Sequence, residues 1–426
     1  MTNRVVWSSL LRSGTSTLGR KYSTAAFSHT TSNRFMSTTS TTGAKPIALF
    51  LNASRLDYDR QLGMSMVALT KHDAFRLHHV CVRKSLTITC IVPFVHAGNT
   101  HFSLDYTDFS KLSELVDFRR HDQDYVTDPD QIVQLVQEHQ PEIVITKEMQ
   151  VPAACVELYP DSVKLLCEAG TGYNNIPLDA ARSRGMVVCN IPTYSTEAVA
   201  HMAITYIMNL SINMFQQQAM LQQNDRSNFT GPFTLPLQEI NGKTLGLVGG
   251  AGKIGSKVAD IALALGMNII ISSRKGSLPD GHRFNGNPNV RVVSSSNLNE
   301  LLQESDYVSL HTPLNDETRG TFGAEQIKQM KSTAFLINTS RGGVCNENEL
   351  IECLKSNVIA GAGLDVTTTE PPSMDSELWK LENVWLSPHI GWRRIETRQR
   401  LVDMTCDNIT AYCKAKSADE FINVVS

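Results

Sequence analysis

The sequence predicts an α/β protein built as two doubly wound parallel-sheet domains. Three observations carry that prediction. From residue 46 to the end, short apolar runs alternate with amphipathic stretches, the pattern of strands wrapped by helices. The alternation is interrupted once, by a Gln- and Asn-rich stretch at 216–228, and then restarts. The restart opens on a strand that runs directly into a G-x-G-x-x-G run. With 426 residues and 41% hydrophobic content, the chain is long enough for two cores of ordinary size.

Residues 1–43 hold 19 Ser or Thr, four Arg and no acid, the composition of an organellar transit peptide. R-K-Y-S at 20–23 and R-F-M-S at 34–37 resemble mitochondrial processing sites, so residues 1–45 are expected to direct the protein to the mitochondrial matrix, with the plastid as the alternative. Beyond them the remaining 33 bases face all 42 acids, a net charge of -9. A body this acidic is a poor partner for nucleic acid or an anionic membrane. No run approaches eighteen uninterrupted apolar residues, and the nine cysteines show no C-x-x-C pair, so they read as reduced thiols.

In the first domain, strands are expected at 47–51, 142–146, 163–167 and 186–190, with helices at 128–139 and 178–184. Ser195-Thr196-Glu197 reads as a helix N-cap with an acid in the first turn, ahead of a helix over 198–214. The second domain is expected to place strands at 244–248, 268–272, 290–293, 307–311, 334–338, 360–366 and 384–387. A final helix over 395–413 should return to the first domain. The domains are therefore 46–194 plus 391–426, and 195–390. Residues 64–107 fit neither: five of the twelve histidines lie there without clear periodicity, which reads as an extruded insertion. His78, His79, Cys81 and His96 have no recognised metal-ligand spacing, and no metal is expected.

Gly250, Gly252 and Gly255 form the glycine run, with Lys253 and Ile254 opening the next helix. Such a turn lets backbone approach a pyrophosphate, whose charge is favoured by the free N–H groups and dipole of the helix N-terminus. Arg341, Asp365 and His389 each follow an apolar strand, so a parallel sheet would present them at one carboxyl edge, beside the cofactor crevice. Reduction of a keto acid needs what these residues offer. Arg341 supplies a rigid fork of donors for a carboxylate or carbonyl oxygen. His389 supplies a proton, and Glu370 holds the imidazole and favours its charged form.

With these motifs in order, the chain resembles the D-isomer-specific 2-hydroxyacid dehydrogenases over nearly everything from residue 46 onward. The matching text includes A-G-T-G-Y-N-N at 169–175, N-I-P-T-Y-S-T at 190–196, S-L-H-T-P at 309–313, the glycine run and the block from Arg341 to His389. The resemblance implies a Rossmann NAD(P)-binding domain joined to a flavodoxin-like substrate domain, and a homodimer. It implies that Arg341, Glu370 and His389 are catalytic and that Asp365, Thr312 and Pro313 border the cofactor. It also implies that backbone N–H groups of Ala169, Gly170, Thr171 and Gly172 bind the substrate carboxylate. One departure is Val199-Ala200-His201-Met202, where the family usually has V-A-E-H or V-A-Q-H.

The cofactor side departs too. An acid normally ends the second strand of an NAD-binding unit and holds the adenosine ribose. Here Ser273 stands in its place, followed by Arg274 and Lys275, and no acid occurs between Asp260 and Asp280. NADP(H) is therefore favoured, with NAD(H) possible. Within the family, reduction of hydroxypyruvate or glyoxylate is expected. A phosphoglycerate dehydrogenase usually carries a further C-terminal domain, whereas 37 residues follow His389 here. A nucleotide-sensing corepressor of the same fold is the alternative from another class.

Overall fold

The computed structural model describes residues 47–50, 87–88, 107–120, 128–230, 237–415 and 420–425. Residues 1–45, expected to be a targeting segment, lie outside them, as does 64–107 with its histidines apart from 87–88 and Thr107; residues 87–88 form the edge strand of a sheet, so that stretch is not wholly the extruded insertion expected.

The first half of the chain runs β1 (Ile47–Phe50), β2 (Thr87–Ile88), α1 (Ser110–Leu115), β3 (Asp117–Arg120), α2 (Pro129–His139), β4 (Ile143–Thr146), α3 (Ala153–Glu157), β5 (Leu165–Glu168), α4 (Leu178–Ser183) and β6 (Val187–Cys189). Three helices follow: α5 (Thr196–Ile212), α6 (Met214–Gln222) and α7 (Ser227–Thr230). The second half runs β7 (Thr244–Val248), α8 (Lys253–Ala264), β8 (Asn268–Ser273), β9 (Val290–Ser294), α9 (Asn299–Glu304), β10 (Tyr307–Leu310), α10 (Ala324–Ile327), β11 (Phe335–Asn338), α11 (Glu347–Lys355), β12 (Gly361–Leu364), β13 (Val384–Leu386) and α12 (Ile395–Lys414).

Among the described residues the strands form two wholly parallel sheets, ordered β2-β3-β1-β4-β5-β6 and β13-β12-β11-β10-β7-β8-β9. Winding reverses between β1 and β4 in one and between β7 and β10 in the other. Ligand crevices in open α/β sheets form at the carboxyl ends of strands at such reversals. The central strands β4, β5, β10 and β11 are buried along their length, as strands covered on both faces must be.

Local chemistry sets several boundaries. Asp128 caps α2 by accepting from the Asp130 amide at 3.0 Å, with Pro129 in the first turn, and Gln140 ends it in the left-handed conformation. Ser195 does take the N-cap position of α5, but its hydroxyl makes no cap hydrogen bond, contrary to the sequence reading. That helix ends two residues early because Asn213 turns left-handed at φ 49°; the Gln-rich stretch beyond it then forms α6, which has no fully buried residue. β3 follows Val116 without a sequence cue, because its D-F-R-R text lacks an apolar run.

α5 is apolar around most of its surface because it serves both halves. Val199 packs in the first core, while Ala200, Ala203, Tyr206 and Ile207 pack under the second sheet. α12 returns to the first core through Leu401, Val402, Cys406 and Ile409, all fully buried. Three aliphatic side chains buried at about 1.5–3 kcal/mol each rival the roughly 5–15 kcal/mol net stability of a domain, which accounts for the chain's return. The two crossing segments touch where the Tyr194 and Trp392 rings meet edge to face at 6.3 Å. The seven described cysteines are free thiols.

Candidate active site

Both reversal points open on one cleft of about 330 Å³. On the side of the second sheet, the chain leaves β7 through Gly249 at φ 79°. A Cβ there would stand 2.9 Å from the His311 carbonyl oxygen, so the turn after β7 packs directly on the turn after β10. Gly255 meets Gly250 as closely, a Cβ at 255 lying 2.6 Å from the Gly250 Cα, and this seats α8 on the turn. Gly252, Lys253, Ile254 and Gly255 line the cleft, as do Thr312 and Pro313 after β10.

This wall fits a dinucleotide. α8 begins with no side-chain cap, so its first amides depend on other partners. A Cβ at Gly252 would meet nothing closer than the Gly249 carbonyl oxygen at 3.4 Å, so packing within the protein does not demand glycine there. The Thr312 and Thr339 hydroxyl oxygens are buried without a hydrogen-bond partner among the described residues. Ser273 sits at the end of β8, one strand away, and its hydroxyl donates to the Ser277 carbonyl oxygen at 2.9 Å. Arg274 and Lys275 beside it are exposed, and none of the three lines the cleft.

The reacting end gathers residues from four strand ends. Arg341 leaves β11 on a turn tied by Asn338, whose amide donates to the Arg341 carbonyl oxygen at 2.9 Å. The Arg341 guanidinium donates to the Ser340 carbonyl oxygen at 2.8 Å and to Asn174 Oδ1 at 3.3 Å, which aims it across the cleft at Gly172. His389 stands after β13 with φ 51°, and its Nδ1 lies 2.7 Å from Glu370 Oε2. An ionised carboxylate only accepts, so Nδ1 carries the proton of that bond and Nε2 faces the cleft. His389 and the Thr367 amide, by hydrogen bond and charge, outweigh the desolvation of Glu370 and hold its carboxyl below the usual range. Asp365 accepts from the Ser387 hydroxyl and from the amides of Ile390 and Gly391 at 2.9 and 2.8 Å, which braces the His389 turn. Burial pushes its carboxyl up against these donors. A second histidine at the cleft, His311, is driven down to about 4 by burial and is neutral near pH 7.

In the loop after β5 the sequence expectation narrows. Thr171 and Gly172 line the cleft, whereas Ala169 and Gly170 do not. The Ala169 amide extends the β4–β5 ladder by donating to the Thr146 carbonyl oxygen at 2.7 Å, so it has no donor to spare. Of the departure at 199–202, His201 is exposed and lies 3.9 Å from Glu197, and Met202 is buried.

The sequence reading missed a cluster after β4. Lys147, fully buried, pairs with Glu148 at 2.6 Å and lies 3.9 Å from the centroid of the Trp392 ring. Glu168 accepts from the Thr146 hydroxyl at 2.6 Å, the Asn175 amide at 2.8 Å and the Glu148 backbone amide at 2.9 Å. Burial pushes the Glu168 carboxyl up, against the pull of Lys147 and these donors. Glu148, at φ 53°, lines the cleft with Oε1 3.9 Å from His389 Nε2. A polar pair directly after an apolar strand was the available signal, the same one that marked Arg341 and His389.

A crevice at the reversal points of two parallel sheets, walled on one side by a glycine-rich helix N-terminus, is that of a nicotinamide-dependent dehydrogenase. The sequence pattern described as D-isomer specific 2-hydroxyacid dehydrogenase, NAD binding domain, matches residues 204–391. The chain is 32% identical over 326 residues to the hydroxypyruvate reductase of Blautia hydrogenotrophica, covering 76% of this chain and 95% of that protein. It is 36% identical over 263 residues to the glyoxylate reductase of Korarchaeum cryptofilum, covering 61% and 76%. Among solved structures, the NADPH-dependent glyoxylate/hydroxypyruvate reductase of Sinorhizobium meliloti, in complex with NADP and malonate, superposes with a TM-score of 0.63 at 25% identity, covering 74% of this chain and 92% of that one. The D-lactate dehydrogenase of Aquifex aeolicus, complexed with NAD and lactic acid, gives 0.62 at 26%, covering 74% and 95%. The chain belongs to the D-isomer specific 2-hydroxyacid dehydrogenase family and is a nicotinamide-dependent oxidoreductase.

Proposed function

We propose that the enzyme reduces hydroxypyruvate or glyoxylate to the D-2-hydroxy acid, with Arg341, Glu370 and His389 as its catalytic residues. The observation that carries this reading is the His389–Glu370 pair, 2.7 Å apart, with His389 and Arg341 lining one cleft and Glu370 behind the imidazole in the cavity beside it. The Arg341 fork binds the substrate's carboxylate or carbonyl oxygen, and the loop at Thr171 and Gly172 closes the other side of the carboxylate. The amides at 253–255 would hold the pyrophosphate of a reduced nicotinamide cofactor, with Thr312, Pro313 and Asp365 at its border, and that cofactor would supply the hydride for the carbonyl carbon. His389 Nε2 gives its proton to the oxygen as negative charge develops there; Glu370 balances the imidazolium before the transfer and holds the neutral ring in place until solvent returns the proton. The products are the 2-hydroxy acid and the oxidised cofactor.

NADPH is the favoured cofactor. The reading is supported by Ser273 at the end of β8, the absence of an acid from 261 to 279, and the exposed Arg274 and Lys275. A homodimer is supported by apolar side chains left exposed on α5–α7, among them Met208, Met214, Phe215 and Phe229. The composition of residues 1–45 supports mitochondrial import.

A panel of 2-keto acids assayed with NADPH and NADH tests the function. Turnover of hydroxypyruvate or glyoxylate, falling roughly a hundredfold to ten-thousandfold in His389→Ala while the cofactor still binds, is the expected result. No turnover of any keto acid with either cofactor overturns it and favours a nucleotide-sensing role.

A further inference from the structure

The cleft contains a charged residue that the reduction does not require. Glu148 follows β4 at the reversal point of the first sheet, and its Oε1 lies 3.9 Å from His389 Nε2, the nitrogen that faces the cleft. It lines both the main cleft and a smaller adjoining cavity of about 200 Å³ that also reaches Arg341, Glu370 and His389. The placement is costly. Glu148 and His389 are both non-glycine residues held in the left-handed region, at φ 53° and 51°, a conformation that persists only where surrounding contacts impose it. Those contacts are present: the Glu148 amide donates to buried Glu168, and its carboxylate is gripped by buried Lys147. Lys147 sits behind the carboxylate, against Trp392, and its charge is shared with Glu168, so the face turned to the cleft is the carboxylate.

Resting on the reductase reading above, we propose that Glu148 determines substrate specificity by reading the substituent on C3 of the keto acid. A carboxylate 3.9 Å from His389 Nε2 stands beside the carbon next to the carbonyl and is complementary to a hydrogen-bond donor on C3, such as the hydroxyl of hydroxypyruvate. It repels a second carboxylate, and in a half-enclosed cleft like charges a few ångströms apart are poorly screened. An aldehyde such as glyoxylate, which has no C3, gains nothing from it. The preferred substrate class is therefore the 3-hydroxy-2-keto acids, with dicarboxylic keto acids excluded.

The test is kcat/KM for hydroxypyruvate, pyruvate, glyoxylate and oxaloacetate in the full-length enzyme and in Glu148→Gln and Glu148→Ala. The wild type is expected to prefer hydroxypyruvate to pyruvate by at least tenfold. Glu148→Ala should lower hydroxypyruvate by tenfold or more and leave pyruvate and glyoxylate within about threefold. Glu148→Gln, which keeps the shape and hydrogen bonding and so guards against a folding defect, should raise oxaloacetate relative to hydroxypyruvate by at least tenfold. Equal losses on all four substrates, or unchanged ratios in both variants, overturn the proposal. If the wild type reduces none of the four, the reductase reading fails instead. The charge rule is then read by calorimetry on NADP-loaded protein, where tartronate must gain affinity over D-glycerate in Glu148→Gln, and equal affinities overturn it.

Discussion

Gly172, in the loop after β5, faces Arg341, in the loop after β11, at a separation that admits no side chain: a Cβ on Gly172 would stand 2.7 Å from the guanidinium carbon. The two residues are 169 positions apart and belong to different sheets. The guanidinium is the far end of a flexible side chain, so it would move aside while the fold stays intact. Gly172→Ala should keep the thermal midpoint within about 2 °C and raise KM for the keto acid at least tenfold, since small misplacements of a positioning group cost up to about a hundredfold in rate. Unchanged KM would remove Arg341 from the substrate.

The Glu370–His389 pair predicts an acid-side effect. Its partners depress the Glu370 carboxyl, so their contribution to stability is fully present above the ordinary value of 4.5 and is lost as pH falls through the lowered folded value. Glu370→Gln should therefore lose less of its thermal midpoint than the wild type on going from pH 5 to pH 3. Turnover should drop about a hundredfold at neutral pH because the imidazole is no longer held. Parallel pH curves for the two proteins would contradict the pairing.

Two glycines of one motif are expected to fail differently. Gly255→Ala places a Cβ 2.6 Å from the Gly250 Cα and should destabilise the fold by about 1–3 kcal/mol, measured by denaturant unfolding. Gly252→Ala meets only the Gly249 carbonyl oxygen at 3.4 Å, so stability should hold while cofactor affinity falls. Normal cofactor affinity in Gly252→Ala would argue against a pyrophosphate over the start of α8.

The proposed preference for NADPH rests on the end of β8. A hydrogen bond to a charged group contributes about 1.5–3 kcal/mol, so Arg274→Ala should cost roughly tenfold to a hundredfold in NADPH efficiency and little with NADH. Ser273→Asp should turn the ratio toward NADH by repelling the 2′-phosphate. A wild type that works better with NADH, or equal losses with both cofactors in Arg274→Ala, would reverse the assignment.

Residues 1–45 fused to a fluorescent protein should carry it into mitochondria. A diffuse cytosolic signal would count against import, and a plastid signal would move the enzyme to that compartment.

The alternation of apolar and amphipathic segments determined the second sheet and four of the six strands of the first, because a strand buried on two faces needs an uninterrupted apolar run. Gly250, Gly252, Gly255, Arg341 and His389 were readable for a related reason. All but Gly255 lie in the turn just past a strand, and Gly255 is in the first turn of the helix that follows; the strand ends of a parallel sheet share one edge, so position along the chain translates into position at the crevice. β3 and α6 escaped because neither has a periodic apolar face. The limits of the 169–172 loop escaped because an amide's partner, as at Ala169, depends on the neighbouring strand's register. Tertiary structure alone decided that Glu148 meets His389 and that Lys147 lies against Trp392. Both contacts span more than two hundred residues, and the first joins two sheets; they are set by how α5 and α12 pack the halves together, a relation that no local run of sequence contains.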